Sequence, residues 1–143
     1  MYSVLDVCKY VIYYSNKKNY AISNLRLQKI LYFIQAYFLR IKKKPCFKEP
    51  MEAWDFGPVV PEAYHHYKVF GASEIINYKD PCIDFAKSDK TIIEDVINLL
   101  SKYTTTQLVA MTHSQYPWKK NYVPYASNEI SISDLQRFAD GKR

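Results

Sequence analysis

Val4, Leu5, Cys8, Val11 and Ile12 recur at the three- and four-residue spacing of a helix face, and Ser3 with Asp6 three residues later reads as a capping box that starts it. This first helix is predicted to end at Asn16-Lys17-Lys18-Asn19. Ser23 is a suitable N-cap for a second helix, whose Leu27, Ile30, Leu31, Ile34, Phe38 and Ile41 form one apolar face. Tyr32, Phe33, Tyr37 and Leu39 cover most of the remaining circumference, so this helix is predicted to be central and buried nearly all round. Lys42-Lys43-Lys44-Pro45 ends it, with the cations at the negative end of the helix dipole.

The period then changes. Phe47 to Trp54 is too short and too interrupted for a helix and predicts one or two short strands, with Pro50 restricting one of them to an edge. Gly57-Pro58 makes a rigid corner, because Pro58 fixes its own φ and pushes Gly57 out of the helical region. Pro61 suits the first turn of a following helix that carries Tyr64 and Tyr67, and Gly71 stops it. Ile75 to Tyr78 reads equally as strand or loop. Asp89 is placed to cap the next helix, in which Ile92, Ile93, Val96, Ile97, Leu100 and Tyr103 form a stripe. Thr104-Thr105-Thr106 caps another through Leu108, Val109, Met111 and Thr112, with Pro117 predicted to terminate it. A last helix follows Ser131 or Ser133 and closes at Gly141. The expected fold is mainly α (α+β): a single helical domain around a central apolar helix, with a small sheet or hairpin appended.

Composition adds constraints. With 143 residues the chain can bury a core without disulfides or a structural metal. Cys8, Cys46 and Cys82 are odd in number and unpaired in spacing, so free thiols are expected. No stretch has the features of a secretory signal, and the longest apolar run is about half of a membrane span, so a cytoplasmic protein is expected. The net charge of +6 is unevenly spread: residues 1–48 carry +9 and residues 49–143 carry −3. Lys17, Lys18, Arg26, Lys29, Lys42, Lys43 and Lys44 belong to the basic part. They fit nucleic acid, an acidic protein surface or anionic lipid, and equally a solvated helix face.

A search for chemistry returns little. The three glycines are scattered, so there is no phosphate-binding loop. His65 and His66 point about 100° apart on a helix and do not face one ion together. His113 with Ser114 invites a hydrolase reading, but Ser114 has neither the strained turn nor the third group that nucleophilic catalysis needs. His113 is expected instead to bond a group near the corner and lock Tyr116-Pro117-Trp118 against Trp54. No catalytic residue, cofactor or metal is assigned.

Three blocks carry a resemblance: Leu27-Gln28-Lys29-Ile30-Leu31-Tyr32-Phe33, the corner Trp54 to Tyr64, and Thr112-His113-Ser114-Gln115-Tyr116-Pro117-Trp118. In this order they resemble the Panacea, or SocA-like, domain, and the likeness spans nearly all of residues 1–143. It implies an antitoxin of a bacterial or phage toxin–antitoxin system. Such a protein binds and neutralises a cognate toxin encoded by the adjacent gene, with a role as proteolytic adaptor and a protease or chaperone as further partner classes. His113 and Trp118 occupy the family's C-terminal motif positions, while Gln115 stands where members often carry an acid. Asp55 and Phe56 are expected to be exposed at the corner, because a tight turn has few ways to bury a charge. With Tyr64, His113 and Trp118 they are the expected partner-binding residues. Lys29, Tyr32, Trp54, Gly57 and Pro58 are the expected scaffold. The rival readings are a basic nucleic-acid-binding regulator and a small hydrolase around His113.

Overall fold

The two N-terminal periodic runs form helices α1 (Val4–Lys17) and α2 (Asn24–Lys42) in the computed structural model, which describes every residue from Met1 to Arg143. Ser23 caps α2 as expected, its Oγ accepting from the Arg26 N–H at 3.3 Å. Ser3 makes no such bond. Glu49 reaches across from the following loop, and its Oε1 accepts the Val4 N–H at 3.0 Å, a carboxylate at the positive helix end in place of the predicted capping box. Lys43 closes α2 in the left-handed region, φ +58°, with its N–H on the Leu39 carbonyl.

Every residue of α2 from Leu27 to Ala36 is buried. Ile41 is the exception to the predicted face: it stands in the last turn, beside a cavity, and is 58% exposed. Helices α3 (Pro61–Tyr67), α4 (Lys87–Leu100), α5 (Thr105–His113) and α7 (Ile132–Ala139) all pack on α2. α4 buries Ile92, Ile93, Val96, Ile97 and Leu100 of the predicted stripe, while Tyr103 lies beyond the end of the helix and is only partly buried. Asp89 does not cap α4, which begins two residues earlier. Its carboxylate instead accepts from the Tyr2 hydroxyl at 2.6 Å and from Lys42. Thr104 and Gln107 form a capping box on α5. Pro117 does not terminate that helix: α5 stops at His113, and Pro117 lies in the first turn of a separate helix, α6 (Tyr116–Asn121), where its missing N–H costs nothing.

A three-stranded antiparallel sheet completes a mainly α fold. β1 (Met51–Trp54) is central, with β2 (Gly57–Val59) on one side and β3 (Asn128–Ile130) on the other. Trp54 pairs with Gly57 and Met51 with Ile130. Pro50 precedes β1 rather than lying in an edge strand; the edge proline is Pro58, in β2. β3 has three residues, too few to show alternation. The ambiguous segment after Gly71 is a loop, pinned where Asn16 donates to the Ile75 carbonyl at 3.1 Å and accepts from the Asn77 N–H at 2.9 Å. No helix is long and apolar enough to cross a membrane.

Gln28, Lys29 and Gln35 of α2 are buried with its apolar residues, and each holds a neighbouring non-helical segment. Gln35 accepts from the Cys46 N–H at 2.7 Å and donates to the Phe47 carbonyl at 2.9 Å. Gln28 accepts from the Val60 N–H at 3.0 Å. Lys29 donates to the Pro58 carbonyl at 2.6 Å. Desolvation makes an unpartnered buried polar group expensive, so these bonds fix the path of the 46–60 segment against the helix.

Candidate functional site

The hairpin tip is built around Gly57. Asp55 and Phe56 connect β1 to β2 without positive φ angles, and Gly57 supplies the left-handed one, φ +104°. Space also requires glycine there: a methyl group would lie 2.7 Å from Lys29 Cε and 2.8 Å from Thr112 Oγ1. Lys29 has no exposed surface, and burial pulls its ammonium down to about 7. In either protonation state it keeps an N–H for the Pro58 carbonyl.

Two more donors hold the same turn from α5 and α6. His113 Nε2 lies 2.9 Å from the Asp55 carbonyl, which can only accept, so the proton is on Nε2. Trp118 Nε1 donates to the Trp54 carbonyl at 2.8 Å. The His113, Trp118 and Tyr122 rings form a stack, with centroids 4.1 and 4.4 Å apart. Tyr122 ends the stack by donating its hydroxyl to the Asp55 carboxylate, and that bond holds the phenol above its ordinary pKa. Tyr122 was absent from the sequence-based site. Its signal was the four-residue step from Trp118, one helical turn on, which brings Tyr122 beside that ring where α6 ends.

Held in this way, the turn leaves Phe56 67% exposed. It flanks a cavity of about 410 Å³ whose lining includes Leu25, Trp54, Val59, Tyr64 and Tyr125. Tyr125 is fully exposed and takes a positive φ of 63°, a conformation rare for a bulky residue. Trp54 is partly buried rather than enclosed: its ring meets Tyr64 edge-on at 5.0 Å, and its Nε1 donates to Glu52 at 2.9 Å. The expected residues therefore divide into two groups. Asp55, Phe56 and Tyr64 border the cavity, whereas His113 and Trp118 lie behind the turn as its clamp.

The residues expected for the rival readings are committed elsewhere. Ser114 Oγ donates to the Met111 carbonyl at 2.7 Å, so Ser114 and His113 do not form a nucleophile–base pair. The basic residues do not form one patch. Lys17 and Lys18 lie over the Tyr13 and Tyr14 rings near the C-terminus of α1. Lys42, Lys43 and Lys44 lie at the far end of α2, whose 19 residues span about 28 Å. Arg26 donates to the Leu100 carbonyl at 2.8 Å, and Lys29 is in the core. The lysine cluster is also less free than expected, because Lys42 pairs with Asp89 and Lys43 with Asp140.

The family described as antitoxin SocA-like, Panacea domain, matches residues 27–119. The chain belongs to the Panacea family. Among curated proteins, it is 39% identical over 109 residues to Antitoxin SocA of Caulobacter vibrioides (strain NA1000 / CB15N). That alignment covers 68% of this chain and 58% of the relative, so the chain spans less than two thirds of the relative's length. No solved structure gives a significant match. The Panacea match contains all three sequence blocks, and the structure brings them together at one point: Lys29 from the first, Gly57 from the second and Thr112 from the third. Tyr32 adds a second tie from the first block to the third, donating its hydroxyl to Gln115 at 2.7 Å. Gln115 is thus a partner of Tyr32 and not of His113.

Proposed function

We propose that this protein is an antitoxin that neutralises a cognate protein toxin by direct, stoichiometric binding in the cytoplasm, with the Asp55-Phe56 tip and its adjoining aromatic cavity as the contact. Family membership supports the antitoxin class. The observation that carries the contact is the exposed Phe56 on a turn whose backbone is bonded by His113, Trp118 and Lys29. A large apolar side chain on a pre-ordered backbone loses little conformational freedom on binding, which is the physical character of an interface anchor. Inhibition then requires occupancy and no turnover. Delivery of the bound toxin to a protease would be an added activity of the same complex.

The test is a titration against the product of the adjacent gene. Inhibition should reach completion near equimolar protein. Phe56→Ala, at an exposed site, should leave stability within about 1 kcal/mol of the parent and weaken toxin binding more than tenfold, about 1.4 kcal/mol. Complete protection at strongly substoichiometric amounts would point to an enzyme. Unchanged binding by a folded Phe56→Ala variant would remove the tip from the interface.

A further inference from the structure

On the other side of the core, a trench follows α2. A cavity of about 360 Å³ lies between α2, the end of α4, α5 and α7, with Phe33, Tyr37, Met111 and Phe138 in its walls. A second of about 380 Å³ continues it toward Ile41 and shares Tyr37 and Leu99 with the first. Phe33, Tyr37 and Ile41 are four residues apart on one face of α2, so the floor runs about 12 Å along the helix. Leu99, at the junction, is 39% exposed.

Charge distinguishes the two cavities. Arg40, Lys142 and Arg143 border the first cavity, and no Asp or Glu side chain lines it. The molecule's ion pairs use Lys42, Lys43 and Lys120, so these three cations are unpaired. The second cavity has one charged residue, Asp95. An apolar floor bordered by unpaired cations suits a ligand with one apolar face and acidic groups beside it. A length of two helical turns, open to solvent along its course, favours a peptide segment with apolar residues every three or four positions. We infer that the trench binds an acidic amphipathic segment of a partner protein, its apolar face on Tyr37 and Leu99 and its acidic residues over Arg40 and Lys142. This inference is independent of the tip as a toxin contact and of the antitoxin reading itself.

The test uses the full chain and a display library of amphipathic peptides randomised at apolar and charged positions, with no toxin present. Enriched peptides should combine Asp or Glu with apolar residues at helical spacing and bind more weakly as salt rises. Their affinity should fall at least tenfold on Arg40→Glu with Lys142→Glu, and at least tenfold on Leu99→Asp, while Phe56→Ala leaves it unchanged. Arg40 and Lys142 are exposed and in no ion pair, but Lys142 lies over the Tyr116 ring, so an unchanged circular dichroism spectrum and melt of the charge-reversal variant are required before its affinity is read. Enrichment of basic peptides, no enrichment, or peptides that bind the Leu99→Asp protein as well as the parent would overturn the inference. So would self-association of the parent that Leu99→Asp disperses, since the occupant would then be a second copy of the chain.

Discussion

Gly57→Ala tests whether the meeting of the three sequence blocks is a steric necessity. Two costs arise from one methyl group. Alanine at φ +104° meets the left-handed penalty, roughly 1–2 kcal/mol. The added Cβ, 2.7 Å from Lys29 Cε and 2.8 Å from Thr112 Oγ1, overpacks a closed site, typically about 1–3 kcal/mol. Lys29 cannot yield freely, because its Nζ is held by the Pro58 carbonyl. Against these, alanine restricts the unfolded chain and returns roughly 0.4–1 kcal/mol. The net expectation is a loss of about 3 kcal/mol, a large part of the roughly 5–15 kcal/mol typical of a folded domain.

Urea unfolding monitored by circular dichroism gives this number, provided the denaturant slope is unchanged. A second variant separates the two costs. Lys29→Ala removes the atom nearest the new methyl group, so Gly57→Ala should cost at least about 1 kcal/mol less in the Lys29→Ala background than in the parent. Coupling above roughly 0.5 kcal/mol is the mark of residues in contact. A Gly57→Ala loss below about 1 kcal/mol, or additivity of the two changes, would refute the convergence as the reason for glycine.

Three further outcomes are expected. Lys29 titrates near 7 when folded and about 10.4 when unfolded; between these values the unfolded chain binds the extra proton, so this residue makes stability rise with pH by up to about 1.4 kcal/mol per pH unit. The stability of the parent minus that of Lys29→Met should therefore increase from pH 7.5 to 9.5 in urea titrations, with the opposing effect of the buried Cys8 and Cys46 thiols cancelling; parallel profiles would contradict it. Trp54→Ala should cost about 2–3 kcal/mol, less than the roughly 3–5 kcal/mol of full enclosure, because the ring is only partly buried; a loss above 4 kcal/mol would show that its packing is tighter than the structure describes. Lys42→Gln should lower stability by about 1 kcal/mol while Lys44→Gln changes it by less than about 0.5 kcal/mol, since only Lys42 has Asp89 and Ser88 as partners; equal thermal melts for both would mean that the Asp89 pair adds nothing.

Much of the helical skeleton was legible from its caps: Ser23, Thr104 and Ser131 each start a helix and accept a backbone N–H of its first turn. The failures share a cause. Ser3, Asp89 and Pro117 were assigned roles from their near neighbours in sequence, but Glu49, Tyr2 and the start of α6 decided the outcome. A local pattern cannot express a carboxylate arriving from 45 residues away. The same limit hid the roles of Gln28, Lys29 and Gln35. On a helix apolar all round, polar residues have no wet side to occupy, so each had to be buried with a partner. That much was readable in the pattern, but the partner was not. The basic third misled for the opposite reason, since summed charge does not show that one lysine group closes α1 and the other closes α2.

The proposed contact would combine a fixed scaffold with a variable side chain. The three clamps on the hairpin end at main-chain carbonyls: those of Trp54, Asp55 and Pro58. A carbonyl is present whatever side chain its residue carries, so the hydrogen bonds of Lys29, His113 and Trp118 place few demands on turn composition. Gly57 is the exception, fixed by φ and by the lack of space for a Cβ. Asp55 is tied once more through Tyr122, which stabilises a particular turn side chain without being one of the carbonyl clamps. Phe56 has no such tie. The physical consequence is a division within four residues: position 57 answers to the core, while the exposed side chain at position 56 does not. Replacing Phe56 by Leu, Tyr or Glu should therefore leave the unfolding midpoint close to that of the parent while spreading affinities for a given toxin over more than tenfold. A set of Phe56 variants whose stabilities scatter as widely as their affinities would show that the tip side chain is part of the scaffold after all.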